Sequence, residues 1–553
     1  MPGRSREVRV RTGALLGSAA LVACALLTTP VGANGVTRST ASPVVTLSLD
    51  TTAGHLPVSP LIYGINDDKS VDPNFNAVVA ETRPGLLRLG GNRWTAYNWE
   101  NNDSNAGSDY QYENDDYLSA STTPGAAVLP TVQAAEAAGA AALVTVPIAG
   151  YVSADRNPPG PVQNSGSNYL STRFDVDQPT DPAPLSTTPK LSDHVVYQNQ
   201  FAYWLKQAAP GANVMFSLDN EPDLWASTHA EIHPAAATYA EVVAKDLSYA
   251  AALKKVWPTA TVTGPVSYGW YGYETLQGAP DSGADGNFLD WYLSQVKAAD
   301  TTAHIRLIND LDLHWYPEAT GLDGTTPVRI TGTDVSPGVV AAREQAPRSL
   351  WDPNYVESSW ITQSLGNKPI DLIPRLRAQI AANDPGILLD FSEWNYGGGQ
   401  SISGGIATAD VLGVFGRRQV HAAAFWPLNA REQFSYGAFA VFRNYDGHGA
   451  AFGDTEVQAN TTAPATTSVY ASIDKSAPNH VVIVAINKSL SATPTKVVMS
   501  GATAGHATVY TLTSASPLPR PAPGLTATAT TSSGATYSYT MPAQSVSVLV
   551  PTP

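Results

Sequence analysis

Asn213-Val214-Met215-Phe216-Ser217-Leu218-Asp219-Asn220-Glu221-Pro222 is the stretch that decides how this chain folds. A short apolar run without strict alternation reads as a strand covered on both faces, as in a parallel sheet wrapped by helices. It ends abruptly in polar, turn-forming residues, and the C-terminal ends of such strands are where parallel barrels carry their chemistry. The same pattern recurs in both directions. Runs at 62–66, 85–90 and 142–148 precede it, and runs at 261–266, 311–314, 387–392 and 422–426 follow. Ala-rich segments of helical period separate them, so the chain from Leu61 to Leu428 predicts an α/β fold of eight βα units, a (β/α)8 TIM barrel with long loops.

After about Ala438 the texture changes to alternating Val, Thr, Ser and Tyr, as in Val481 to Asn487, Ala507 to Thr513 and Ser545 to Val550. That pattern predicts an all-β antiparallel sandwich. Val44 to Leu49 alternates likewise and is expected to pair into it, while Pro-rich Ser516 to Gly524 reads as a loop. The expected organisation is a signal peptide over 1–33, an N-terminal strand of the sandwich over 44–60, the barrel over 61–437 and the sandwich over 438–553.

Composition narrows the function. Lys+Arg 32 against Asp+Glu 47 gives a net charge of −15, which excludes a nucleic-acid partner. Only 14% of residues are charged, against ~25% in ordinary soluble domains, so Ser, Thr, Asn and Gln supply much of the polar surface. Arg4, Arg6, Arg9 and Arg11 precede an apolar stretch from Ala14 to Leu27, and Val31-Gly32-Ala33 offers a cleavage site. The stretch falls short of the ~20 residues that span a bilayer, so it reads as a secretory signal and the mature protein as secreted and extracellular; a monomer is expected, although nothing in the sequence fixes the oligomeric state. The single cysteine, Cys24, lies inside it. No disulfide is then expected, and no membrane association unless Cys24, in the lipobox-like Leu21-Val22-Ala23-Cys24, is acylated.

The polar strand ends hold the candidate site. Seven of the 12 tryptophans (Trp94, Trp99, Trp225, Trp270, Trp315, Trp394 and Trp426) fall near these ends. Aromatic faces with Asn, His and carboxylates around a cleft suit sugar rings, which stack through C–H faces and offer hydroxyls at their edges. Glu221 and Glu393 end the fourth and seventh runs, which face each other across an eight-stranded barrel. Hydrolysis of a glycosidic bond needs one acid to protonate the leaving oxygen and one ionised carboxylate opposite it. Glu221 is read as the general acid/base and Glu393 as the nucleophile. Asn92, Trp94, Asn220, His314, Tyr316, Trp394, Trp426 and Arg88 are read as substrate-binding, with Arg88 also placed to keep Glu393 ionised. Glu318 and Asp312 are read as structural. No cofactor is required, and the metal content is left open.

The blocks Leu89-Gly90-Gly91-Asn92-Arg93-Trp94-Thr95-Ala96-Tyr97-Asn98-Trp99-Glu100-Asn101-Asn102, Ser217 to Pro222, Asp312-Leu313-His314-Trp315-Tyr316-Pro317-Glu318 and Ser392-Glu393-Trp394-Asn395-Tyr396-Gly397-Gly398 resemble glycoside hydrolase family 44. The resemblance spans about residues 44 to 553. It implies endo-acting hydrolysis of β-1,4-glucans, xyloglucan included, with retention of configuration, Glu221 as acid/base and Glu393 as nucleophile. It also implies structural Ca2+. The acidic loop with Asp103, Asp109, Glu113, Asp115 and Asp116 offers oxygens for such an ion, but its spacing is not that of an EF-hand and it reads better as a solvated loop. Another retaining barrel glycosidase, a xylanase or arabinofuranosidase, and a non-catalytic polysaccharide-binding protein are the alternatives.

Overall fold

Eight parallel strands close on themselves in chain order. They are Gly64–Asn66, Leu86–Leu89, Ala141–Val146, Asn213–Leu218, Thr261–Ser267, Asp310–Trp315, Leu388–Trp394 and Ala422–Phe425. The computed structural model describes residues 44–552; the signal-peptide reading and Cys24 lie outside the described residues. The expected TIM barrel is thus present, and each expected run coincides with a strand to within a few residues. Among the described residues no helix is long and apolar enough to cross a membrane.

Strand pleating divides the side chains between lumen and wall. Leu86, Ala141, Leu143, Met215, Ala422 and Ala424 form an apolar cluster on one side of the lumen. Buried Thr263, Asp310, Asp312 and Asp390 make the opposite side polar. Alternate residues point outward, where Phe391 stacks on Phe415 of the helix Ile402–Arg417.

The second sheet runs Ser516–Thr526, His506–Thr513, Ser545–Thr552, Ala477–Asn487, Thr467–Asp474, Thr455–Thr461, Val45–Asp50, Thr493–Ser500, Gly534–Met541 and Ala529–Thr531. Residues of both halves, among them Leu47, Ile483, Val497, Tyr537 and Leu549, share one core. The expected sandwich is therefore present, with two differences. Val45–Asp50 pairs antiparallel with Thr455–Thr461 but parallel with Thr493–Ser500. Ser516 to Gly524 is an edge strand paired with His506–Thr513, not a loop. Its prolines, Pro517, Pro519, Pro521 and Pro523, recur with period two, so they remove N–H groups from one side of the strand and leave the other to pair. The eighth barrel helix, Gln433–Arg443, runs across the expected division at 437/438, and we propose that the division falls within 444–454.

A buried ion pair ties the barrel to the sandwich. Lys488 Nζ lies 2.6 Å from Asp410 Oδ2, and the Tyr470 hydroxyl donates to Asp410 Oδ1 at 2.7 Å. Removing one partner of such a pair strands the other charge in a low-dielectric interior. Lys488→Ala should cost about 3–5 kcal/mol, read as a fall in Tm, whereas Lys488→Met with Asp410→Leu should recover most of it. A single variant with unchanged Tm would show that the pair does not hold this interface.

Candidate active site

The turn after the fourth strand is unusual for its residues. Asp219 and Glu221 both have left-handed backbone, φ 65° and 49°, a conformation that costs of order 1–3 kcal/mol for a side chain other than glycine. The buried Asp219 carboxylate offsets that cost by accepting from the backbone N–H groups of Ile148, Ala149 and Asn220, the Thr95 hydroxyl and the Trp225 indole N–H. The turn is thereby fixed with Glu221 aimed across the barrel mouth, its backbone N–H donating to Val266 O at 3.0 Å.

Glu393, from the seventh strand, meets it. A ligating oxygen of each carboxylate and a ring nitrogen of His314 all lie within 4.8 Å of one another. Arg88 from the second strand donates to Glu393 Oε1 at 2.7 Å, and the Tyr316 hydroxyl donates to Glu393 Oε2 at 2.8 Å. His314 Nδ1 lies 2.9 Å from Glu221 Oε1 and 3.4 Å from Glu393 Oε2. Arg88 also reaches Asn66 Oδ1 and Asn220 Oδ1. Two glycines make room for this: a Cβ on Gly90 would lie 2.3 Å from the Arg88 guanidinium, and one on Gly91, with φ 94°, would lie 2.6 Å from the Trp426 ring.

The two carboxyls are driven apart electrostatically. Burial pushes Glu221 up, and the Glu393 charge adds to it against the opposing pull of His314 and Arg88, so Glu221 holds its proton above the usual range. Burial pushes Glu393 the same way, but the His314 and Arg88 charges and the bonds from Arg88 and Tyr316 outweigh it and hold it below. His314 itself is pulled down by burial and raised, on balance, by the carboxylates. One acid kept protonated opposite one kept ionised is the arrangement that glycoside hydrolysis uses.

The family model of glycoside hydrolase family 44 matches residues 103–319. Endoglucanase A of Paenibacillus lautus is 39% identical over 492 residues, which is 86% of this chain and 68% of that protein. A β-mannanase/endoglucanase A of Caldicellulosiruptor saccharolyticus is 40% identical over 81% of this chain, which spans only 34% of that longer protein. A family 44 xyloglucanase structure from Paenibacillus polymyxa superposes with a TM-score of 0.85 at 36% identity, covering 93% of this chain and all of that one. The chain belongs to glycoside hydrolase family 44.

In this family 44 protein several side chains read as substrate-binding are occupied otherwise. Arg88, 1% exposed, and His314, 0% exposed, are bonded to the carboxylates. Trp94 is buried against Tyr97. Trp394 follows inward-facing Glu393, so the pleat turns it outward, where it is buried among Phe415, Phe425 and Phe439. Trp99, Trp225, Trp270 and Trp315 are buried too. The half-buried Trp426 stands over Gly91. Asn220 gives one amide N–H to Asn92 Oδ1 and keeps the other, and Asn92 gives its own amide to Asp109. A cavity of about 200 Å³ beside Tyr316 is lined by Tyr268, Glu318, Arg329 and Trp360 and also by the edges of Trp270 and Trp315, and exposed Tyr271 stacks on Trp360 at 4.5 Å. A larger one, about 420 Å³, lies away from the carboxylates between Trp351 and the sandwich strands.

The acidic loop does not fit a calcium site. Asp103 and Asp116 pair with Arg156, Asp115 with Arg93, and Asp109 takes the Asn92 amide, so these carboxylates are already neutralised or bonded. Glu318 pairs with Arg329, and Asp312 accepts from Thr263 and the Ser392 N–H.

Two buried residues escaped the sequence reading. His229 Nδ1 faces Glu231 Oε1 at 2.8 Å and its Nε2 faces the Asn92 carbonyl at 2.7 Å. The Asn92 carbonyl only accepts, as does Glu231 when ionised, and with that carboxylate both ring nitrogens donate as an imidazolium. Burial pulls its pKa down, but Glu231 and the Asn92 carbonyl more than reverse this. The pair anchors the loop that orients Asn220 next to Glu221. His229→Leu should lower kcat roughly ten- to hundredfold with KM little changed, because a misplaced acid costs rate more than binding. Steady-state kinetics on a soluble β-glucan measure this; wild-type kcat would contradict it. Trp426→Ala should raise KM about tenfold, whereas Trp394→Ala should cost about 3–5 kcal/mol of stability with KM unchanged. The reverse pattern would put Trp394 in the cleft.

Proposed function

We propose that the protein is a secreted, retaining endo-β-1,4-glucanase acting on soluble β-glucans, xyloglucan among them. The observation that carries this reading is the pair of carboxyls with oxygens within 4.8 Å and oppositely displaced protonation. Retaining glycosidases place their carboxyls ~5–5.5 Å apart, and inverting ones ~6.5–9.5 Å to admit a water. Glu221 protonates the glycosidic oxygen as the bond to the anomeric carbon breaks, and Glu393 attacks that carbon from the other face. Glu221 then takes a proton from water, which displaces Glu393 and returns it as a carboxylate. Asn220, with one amide N–H to spare, is placed to bind a hydroxyl of the sugar being attacked. Trp426, Tyr268, Tyr271 and Trp360 offer aromatic surface for neighbouring sugars.

The titrations set the pH dependence. Glu221 works protonated and its pKa is raised, so the alkaline limb of kcat/KM falls as it loses its proton; Glu393 works ionised and its pKa is lowered, so the acid limb falls as it gains one. Replacing Glu221 with Ala should leave glycosylation rapid on substrates with good leaving groups and give a β-glycosyl azide when azide is added; Glu393→Ala should form no covalent intermediate. NMR of the first-formed product should show the β-anomer, and an α-anomer would overturn the assignment of Glu393. Turnover across cellulose derivatives, xyloglucan, mixed-linkage glucan, xylan and mannan ranks the substrates. Preferential cleavage of xylan or mannan would overturn the glucanase reading.

A further inference from the structure

A second cluster of ionisable groups lies at the opposite end of the barrel. Asp310 opens the sixth strand, Asp390 sits three residues before Glu393 in the seventh, and His421 immediately precedes the eighth. One carboxylate oxygen of each Asp and one ring nitrogen of His421 lie within 4.8 Å of one another. His421 Nδ1 is 3.2 Å from Asp310 Oδ2 and 3.2 Å from Asp390 Oδ1. Both aspartates are buried, with side chains 0% and 2% exposed, while His421, 26% exposed, opens to solvent.

Hydrogen bonding leaves this cluster unfinished. Neither oxygen of Asp310 has a hydrogen bond, and Asp390 Oδ2 has none. Asp390 Oδ1 takes the Ala422 N–H at 2.9 Å. Lys254, whose charge acts on Asp310, spends its ammonium on the Ala260 carbonyl and Asn309 Oδ1. A single Nδ1–H cannot complete two buried carboxylates, and leaving such groups without donors is costly. A divalent cation would balance both charges and bond the free oxygens at once. Ligand atoms bound tetrahedrally at ~2.0–2.1 Å stand about 3.3 Å apart, close to the separations of Nδ1 from its two neighbours. Two carboxylates and an imidazole suit Zn2+ or Mn2+.

We propose that Asp310, Asp390 and His421 form a divalent metal site that closes the floor of the barrel. His421 binds through Nδ1, one oxygen of each aspartate completes the protein ligands, and water fills the remaining positions from the solvent side of the ring. The site is structural, because it lies at the N-terminal ends of the strands, where barrels carry stability and not catalysis.

Protein stripped with EDTA, desalted and re-exposed to Zn2+ alone, or to Mn2+ alone, tests this. Elemental analysis after a second desalting should find one equivalent per chain, and Tm should rise by about 5 °C with the metal. Asp390→Asn should retain no metal and show no rise, with circular dichroism confirming its fold. His421→Gln, altered at the partly exposed ligand, gives the same reading should Asp390→Asn not fold. Glu393→Gln is the control for the active-site cluster and should still retain one equivalent. Failure of the stripped wild type to hold either metal overturns the proposal, as does undiminished retention by both floor variants. Loss of the metal in Glu393→Gln also overturns it, because the ion would then belong to the active site.

Discussion

Everything at the barrel mouth depends on one buried ion pair, Arg88 with Glu393. Taking both charges out of water is expensive, and their attraction alone does not repay it. The remainder comes from neighbours that complete their hydrogen bonds: Asn66 and Asn220 on the guanidinium, Tyr316 on the carboxylate. Gly90 and Gly91 follow from this constraint, since a side chain at either would strike Arg88 or Trp426. With Glu393 held ionised, its charge helps to keep Glu221 protonated across the cleft. The two functional states are therefore one electrostatic arrangement, divided between two strands.

The second constraint is orientation. Glu221 stands on a strained turn, and the protein surrounds it with bonds that do not touch the substrate: five donors to Asp219 on one side and the Glu231–His229–Asn92–Asn220 chain on the other. A general acid displaced by an ångström loses much of its effect, so this buried polar structure belongs to function as much as to stability.

The strands, and the two glutamates at their ends, were legible because an apolar run ending in polar residues survives any loop inserted between units. Asn66, the last residue of the first strand, obeys the same rule but was not read as part of the site. Trp394 was placed on the wrong face for a physical reason. Closeness to a strand end does not say which face a ring occupies, and the pleat that turns Glu393 inward turns Trp394 into the packing with Phe415. The Pro-rich strand was misread because prolines were counted without regard to their period. His229 left no local signal: the carbonyl it holds, that of Asn92, is 137 residues away. The acidic loop offered oxygens for a cation but read better as a solvated loop; what the sequence did not carry is the arginines that neutralise it, which are set by folding, and Arg156 serves two of its carboxylates from outside the loop.

The central claim is that Arg88, His314 and the carboxylates set opposite protonation states. Side-chain carboxyl 13C NMR titration of the free protein tests it most directly, with Glu393→Gln to assign the signals. Glu221 should titrate above the ordinary glutamate range and Glu393 below it, and Glu393→Gln should bring the Glu221 midpoint down. Two glutamates titrating together near the ordinary value, or a Glu221 midpoint indifferent to the charge at 393, would contradict the account.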